Sequence, residues 1–187
     1  MPTCRDIITD AYRMAGVIGI GASPTAGEAD FALIGLQGMF QAWVGSGLFG
    51  TMIDVFTSED YTAAEGERVH VDACTVTIPM TVTNSDGTTR APLLMSAVQI
   101  VTNAAVSTYI FDRNQWQNVE TLTLSDECPA ASFGRRGLAA CLAIEIANVP
   151  AFAANVTPGL MEACRGFKTS LMRSRYAALD TREIEYF

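Results

Sequence analysis

The residues able to do covalent or acid–base chemistry are few and scattered. Cys128 and His70 could in principle form a nucleophile and its base, since a thiol attacks well once an imidazole has taken its proton. No local signature surrounds either residue, and a single histidine in an alternating stretch is ordinarily a packing or surface residue. Asp112, Asp126 and Glu127 offer carboxylates for general acid–base work. Two of them are adjacent, so they need not face one cleft, and all three fall in turn-like sequence where solvated acids are expected. Gly16, Gly19 and Gly21 are close enough to suggest a phosphate-cradling loop. Their spacing is not GxGxxG, no strand precedes them, and no GxxxxGK[ST] follows. Five cysteines, Cys4, Cys74, Cys128, Cys141 and Cys164, show no metal-finger spacing. Cys4, Cys141 and Cys164 fall on apolar helical faces, where a separate buried thiol is expected, and folding in a reducing cytoplasm follows from that reading. The residues therefore predict no enzyme, no cofactor and no metal.

The elements that would carry these side chains change character along the chain. Residues 1–50 read as a helical pair. The first helix runs from Thr3, its cap, to Ala15, with Ile7, Ile8, Ala11, Tyr12 and Ala15 on one face and Gly16 ending it. The second opens at Thr25 and Glu28, spaced as a capping box, and carries Leu33, Leu36, Phe40, Trp43 and Val44 before Gly47. Gly35 and Gly38 inside this helix suit close packing against a neighbouring helix or subunit.

Residues 51–130 shift to a period near two and read as β-rich. Thr75 to Thr83 is expected to form one arm of a hairpin whose polar tip is Asn84, Ser85, Asp86 and Gly87. A short helix or irregular segment is expected over Ser96 to Ile100. A strand follows over Val106 to Phe111, then a turn over Asp112 to Gln115 and another strand over Val119 to Leu124.

Residues 131–178 return to helices. Ser132 should cap one that contains Leu138, Ala139, Leu142, Ala143 and Ile146 and ends near Asn148. Thr157 and Pro158 should open the last, with Leu160, Ala163, Cys164, Phe167 and Leu171 inward and Arg165, Lys168, Arg173 and Arg175 elsewhere. The expected fold is α+β but mainly helical: a four-helix core drawn from both chain ends, with a β-rich insertion between the second and third helices, all one domain over 1–187.

The 187 residues carry a formal charge of −8, with 12 basic against 20 acidic side chains. That balance excludes phosphate-driven nucleic-acid binding, which needs clustered Lys and Arg. No apolar run reaches the roughly 18 residues of a membrane span, and no basic region precedes an apolar block as in a signal peptide.

One stretch carries a resemblance. The run from Asp6 to Ala29 (DIITDAYRMAGVIGIGASPTAGEA), with Ala32 to Leu36, Met39, Trp43 and Ser46-Gly47-Leu48, is similar to the opening of tailed-phage head-to-tail connector adaptors. These include the packaged-DNA-stabilising tail accessory factors of short-tailed phages and the neck adaptors of long-tailed phages and gene transfer agents. The likeness returns in Ser125 to Pro129 and Gly137 to Ala140. The chain departs at Gln37-Gly38 and Gln41-Ala42, where the family commonly carries other polar residues. The resemblance implies a protein made in the host cytoplasm and assembled into the virion neck as a ring of twelve copies. That ring would sit beneath the portal protein, extend the DNA channel and receive the next neck or tail protein. DNA would pass through the lumen without specific binding. The resemblance also implies that the C-terminal segment 179–187 docks on the portal through Ile184, Tyr186 and Phe187, rimmed by Arg173, Arg175 and Arg182, with the 84–87 tip towards the tail. A stopper or tail terminator is the alternative, and a Cys128-dependent hydrolase a more distant one.

Overall fold

A computed structural model describes residues 1–152 and 156–180, apart from the side chains of 151 and 174–180. Four α-helices are present among them: α1 (Cys4–Met14), α2 (Ala26–Gly45), α3 (Ala131–Ala147) and α4 (Pro158–Asp180). Nine strands are also described: β1 (Ile53–Thr57), β2 (Tyr61–Thr62), β3 (Glu67–Val71), β4 (Val76–Thr77), β5 (Val82–Thr83), β6 (Thr89–Arg90), β7 (Ala97–Val101), β8 (Val106–Asp112) and β9 (Gln115–Asn118). The expectation of a mainly helical protein is corrected. Helix accounts for 39% of the chain and strand for 21%, with a mixed sheet of its own, so the class is plain α+β. The contacts divide it into two compact units, one of Met1–Phe40 and Thr121–Ser170, the other of Gln41–Glu120 and the chain from Leu171.

In the first unit the helix ends obey local chemistry. Thr3 and Asp6 cap α1 reciprocally, the Thr3 amide donating to Asp6 Oδ2 at 2.8 Å and the Asp6 amide to Thr3 Oγ1 at 3.3 Å. The next two amides, of Cys4 and Arg5, donate to the carbonyls of Asp126 and Leu124, so the turn before α3 completes the cap. Gly16 closes the helix at φ 75°, as its position predicts. Thr25 and Glu28 form the second reciprocal box. At the far end of α2, in the second unit, Gly47 (φ 76°) donates to Val44 and Leu48 to Trp43, the paired bonds of a Schellman ending.

Tyr12 is fully buried on α1, and its hydroxyl donates to the Glu28 carbonyl at 2.8 Å. Burial, with the Glu28 charge second, pushes its pKa up to about 12. The α3 start differs from expectation: Ala130 stands at the cap with φ 62° and no side-chain bond, and Ser132 lies inside the first turn. Helical dihedrals break at Gly134, so the regular part of α3 begins at Arg135. Pro158 opens α4 as expected, with the Thr157 hydroxyl accepting from the Leu160 amide at 3.2 Å.

The two C-terminal helices meet where a side chain is missing. A Cβ on Gly137 would stand 2.5 Å from Phe167 Cβ and 2.9 Å from its ring, so glycine is what admits the buried Phe167. One turn further along α3 and three residues earlier on α4, Cys141 and Cys164 have Cα atoms 4.8 Å apart and are joined as a disulfide. This corrects their reading as separate thiols. Cys4 and Cys128 remain buried free thiols, and Cys74 a half-buried one.

The second unit is built on a five-stranded sheet of order β1-β3-β7-β8-β9, parallel across β1-β3-β7 and antiparallel from β7 to β9. Ala63, Val69, Val71 and Val98 form its buried centre, with Tyr61, Val76, Ile100 and Trp116 packed against them. Three local expectations are overturned. Ala97–Val101 is strand β7, because this largely apolar run finds backbone partners on both sides, in β3 and β8. The return strand is Gln115–Asn118 rather than Val119 to Leu124. Arg113 and Asn114, both at positive φ (52° and 62°), make a two-residue turn, so pairing resumes immediately at Gln115. The Thr75 to Thr83 arm is broken at Pro79, which has no amide to donate and whose carbonyl accepts from Trp116 Nε1 at 3.0 Å. β4 pairs parallel with β2, and only β5 and β6 form the hairpin.

Candidate functional site

The hairpin tip anticipated over Asn84 to Gly87 is present, exposed from Ser85 to Thr88, and rigidly tied. Gly87 takes φ 82° and donates to the Asn84 carbonyl at 3.0 Å, while the Asn84 amide donates to Thr88 at 2.8 Å. The Asp86 carboxylate accepts from the Thr88 hydroxyl at 2.6 Å and its amide at 2.9 Å, and these bonds hold its pKa below the usual carboxylate range.

The root of the hairpin is Glu65. Its carboxylate pairs with Arg90, accepts from the Leu93 amide at 2.8 Å and accepts from the Ser96 hydroxyl at 2.9 Å. Arg90 in turn donates from Nε to Asn84 Oδ1 at 3.2 Å, which links the root to the tip. Burial alone would raise the Glu65 pKa, but the donors from Arg90, Leu93 and Ser96 outweigh it and leave it lowered. A lowered folded pKa adds stability that is present above the ordinary carboxylate pKa and is lost as pH falls through the folded value. Glu65→Gln, which leaves Arg90 without a counter-charge, should cost about 2 kcal/mol. It should also reduce hydrogen-exchange protection at the Asn84 amide at neutral pH. In the parent chain the same loss should appear only in acid. Unchanged protection in Glu65→Gln would remove this carboxylate from the hairpin's support.

The residues weighed for chemistry hold structural positions. Cys128 is buried in the first unit, its amide donating to the Pro2 carbonyl, whereas His70 belongs to β3 in the second. Asp126 accepts from the Thr123 amide at 2.7 Å, and Glu127 lies 3.9 Å from the N-terminal amine. Asp112 is buried at the end of β8 with Arg113 Nε at 3.2 Å. Across the β1–β3 pair, Asp54 Oδ1 lies 3.7 Å from Arg68 Nε and 3.3 Å from His70 Nε2, the latter without hydrogen-bond geometry. The Phe56 ring stacks obliquely on His70 at 4.4 Å. No group of three or more His, Cys, Asp or Glu side chains is placed to hold a metal among the described residues. None of the described helices is long and apolar enough to cross a membrane.

Of the residues expected at the portal, Arg173 is exposed on α4. Arg175 lies on the same helix with its side chain outside the described residues, and Arg182, Ile184, Tyr186 and Phe187 lie outside them altogether. The glutamines that depart from the adaptor pattern turn to this chain's own segments. Gln37 Nε2 donates to the Leu122 carbonyl at 3.0 Å and Gln41 Nε2 to Glu120 Oε1 at 2.9 Å.

Sequence reasoning missed two apolar surfaces. On α2, Phe31 is 44% and Ile34 68% exposed, and Gly38 has open space around it. On the sheet edge, β1 exposes Ile53 and Phe56. The first had a signal: from Phe31 to Gly45 the helix carries no charged residue, whereas a solvated helix needs a polar outer face. The second had none, because only the sheet order makes β1 an edge. What the geometry defines is an α+β protein with large apolar side chains exposed on α2 and on β1. No family model matches the chain, and no curated protein matches it as a relative.

Proposed function

We propose that the chain is a head-to-tail connector adaptor of a tailed phage. It works by binding: copies associate into a ring below the portal, extend the DNA channel and present a platform to the next neck or tail protein. The observation that carries this reading is the outer face of α2, uncharged along fifteen residues with Phe31 and Ile34 exposed. Large apolar side chains exposed together on a helix gain by being covered, and a neighbouring copy is the partner that a ring supplies. The first fifty residues, whose sequence resembles the adaptors, contain this same helix. The tied hairpin at 84–87 supports a platform role, since a preorganised tip loses little entropy on docking. The tail anchors Ile184, Tyr186 and Phe187, with Arg173, Arg175 and Arg182 around them, are proposed to engage the portal.

Mixing the protein with portal rings from the same genome and imaging the particles tests this directly. A new symmetric layer on the portal is expected, with twelve copies matching the portal symmetry. Ile34→Glu should abolish the layer while the monomer keeps its circular dichroism, because a carboxylate would be buried against an apolar neighbour. Alanine at Tyr186 and Phe187 should weaken portal capture. A layer that never forms at assembly concentrations would move the reading to a stopper or tail terminator.

A further inference from the structure

A cleft of about 440 Å³ in the first unit is lined by Asp10, Arg13, Met14, Arg135 and Arg136. Three of the chain's 12 basic residues thus converge on one concavity of a protein whose net charge is −8, against a single carboxylate in the lining. Part of that positive charge is already engaged. Arg135 Nε donates to Asp10 Oδ2 at 2.6 Å, Arg13 Nη1 lies 3.9 Å from Asp10 Oδ1, and Arg13 Nη2 donates to the Ala22 carbonyl at 2.8 Å. Arg136 is exposed and has no partner among the described residues.

Asp10 and Asp6 offset the charge of Arg135, whereas Arg136 on α3 has no carboxylate beside it among the described residues. Helical dihedrals resume after Gly134, so Arg135 and Arg136 occupy the first turn of the regular helix, where the backbone dipole is already positive and acidic side chains are normally preferred. A bound anion would offset both the dipole and the uncompensated guanidinium.

We propose that this cleft is a binding site for an acidic peptide segment of a partner protein, with a carboxylate held by Arg136 and Arg13 and an adjacent apolar side chain resting on Met14. Arginine presents a planar fork that matches a carboxylate in two hydrogen bonds. One feature favours a peptide over a nucleic-acid backbone: Met14 and the arginine stems give the lining an apolar component, which a phosphodiester does not use. The site goes beyond ring formation and does not depend on it, since none of its lining residues belongs to α2.

The test is fluorescence anisotropy of the full chain with a fluorescein-labelled peptide of repeating Glu-Glu-Leu, measured beside its Gln-Gln-Leu counterpart and a short DNA duplex. The acidic peptide should bind, weaken with added salt, and lose affinity about tenfold or more in Arg136→Ala, a surface change that leaves the fold intact. Arg136→Lys, which keeps the charge but not the fork, should restore only part of the affinity. Equal binding of the Gln peptide, insensitivity to Arg136, or no binding of the Glu peptide would overturn the proposal. Tighter binding of the duplex with the same dependence on Arg136 would overturn it in favour of a phosphate site.

Discussion

Phe167→Ala should lower the stability of the helical unit by about 3–5 kcal/mol, the range for removing a buried aromatic ring from a core that cannot collapse around the loss. The argument rests on the notch opposite it. Phe167 is 5% exposed, and its ring lies against Gly134 and Gly137 of α3. Removing the ring leaves a cavity facing two glycines, neither of which has a side chain to fill it. Gly137→Leu should give a loss of the same kind by the opposite route, since its Cβ would already overlap Phe167 and the rest of the side chain has nowhere to go. Urea titration followed by circular dichroism at the helical band reads both variants. A midpoint shift in neither would mean that α3 and α4 do not pack at this point.

Reduction of the Cys141–Cys164 bond should cost about 3 kcal/mol, the chain-entropy value for a loop of this length. The bond spans 23 residues and ties α3 to α4 one turn from the glycine notch, so it restrains the unfolded chain across that connection. The native packing should survive reduction, because both cysteines are buried, at 3% and 8% exposure, in a contact that Gly137 and Phe167 maintain. Reductant should therefore lower the urea midpoint without loss of the native spectrum, and Cys141→Ala with Cys164→Ala should reproduce that loss in the absence of reductant. Intact-mass spectrometry under non-reducing conditions checks the premise, as the oxidised chain is lighter by two hydrogens. A chain that alkylates at all five cysteines after unfolding without reductant would refute it.

The α2 surface and the Arg136 cleft are separable at the bench. Ile34→Glu tests the proposed self-association and Arg136→Ala the proposed acidic partner, and the two residues are exposed on different helices, α2 and α3. The hairpin held by Glu65 is a third surface, in the second unit. The proposed adaptor ring would use this multiplicity, contacting its own copies laterally and different proteins above and below.

What the sequence determined by itself lies within about a helical turn along the chain. Thr3, the Thr25–Glu28 box, Gly16, Gly47 and Thr157 each start or stop a helix through bonds among residues three to five positions apart, so their types and spacing were sufficient. The polar tip at Asn84 to Gly87 was legible for the same reason. The tertiary structure decided whatever depends on segments distant in sequence. The parallel pairing of β1, β3 and β7 made strand β7 out of an ambiguous apolar run and left β1 as an edge. The close approach of α3 and α4 at Gly137 turned two apparently separate thiols into a disulfide. The packing of α1 beside α3 gathered Arg13 with Arg135 and Arg136, more than a hundred positions away, around one cleft. Capping and turn chemistry is short-ranged and written in adjacent residues, whereas strand pairing, helix contact and charge convergence are set by which surfaces the whole chain must bury together.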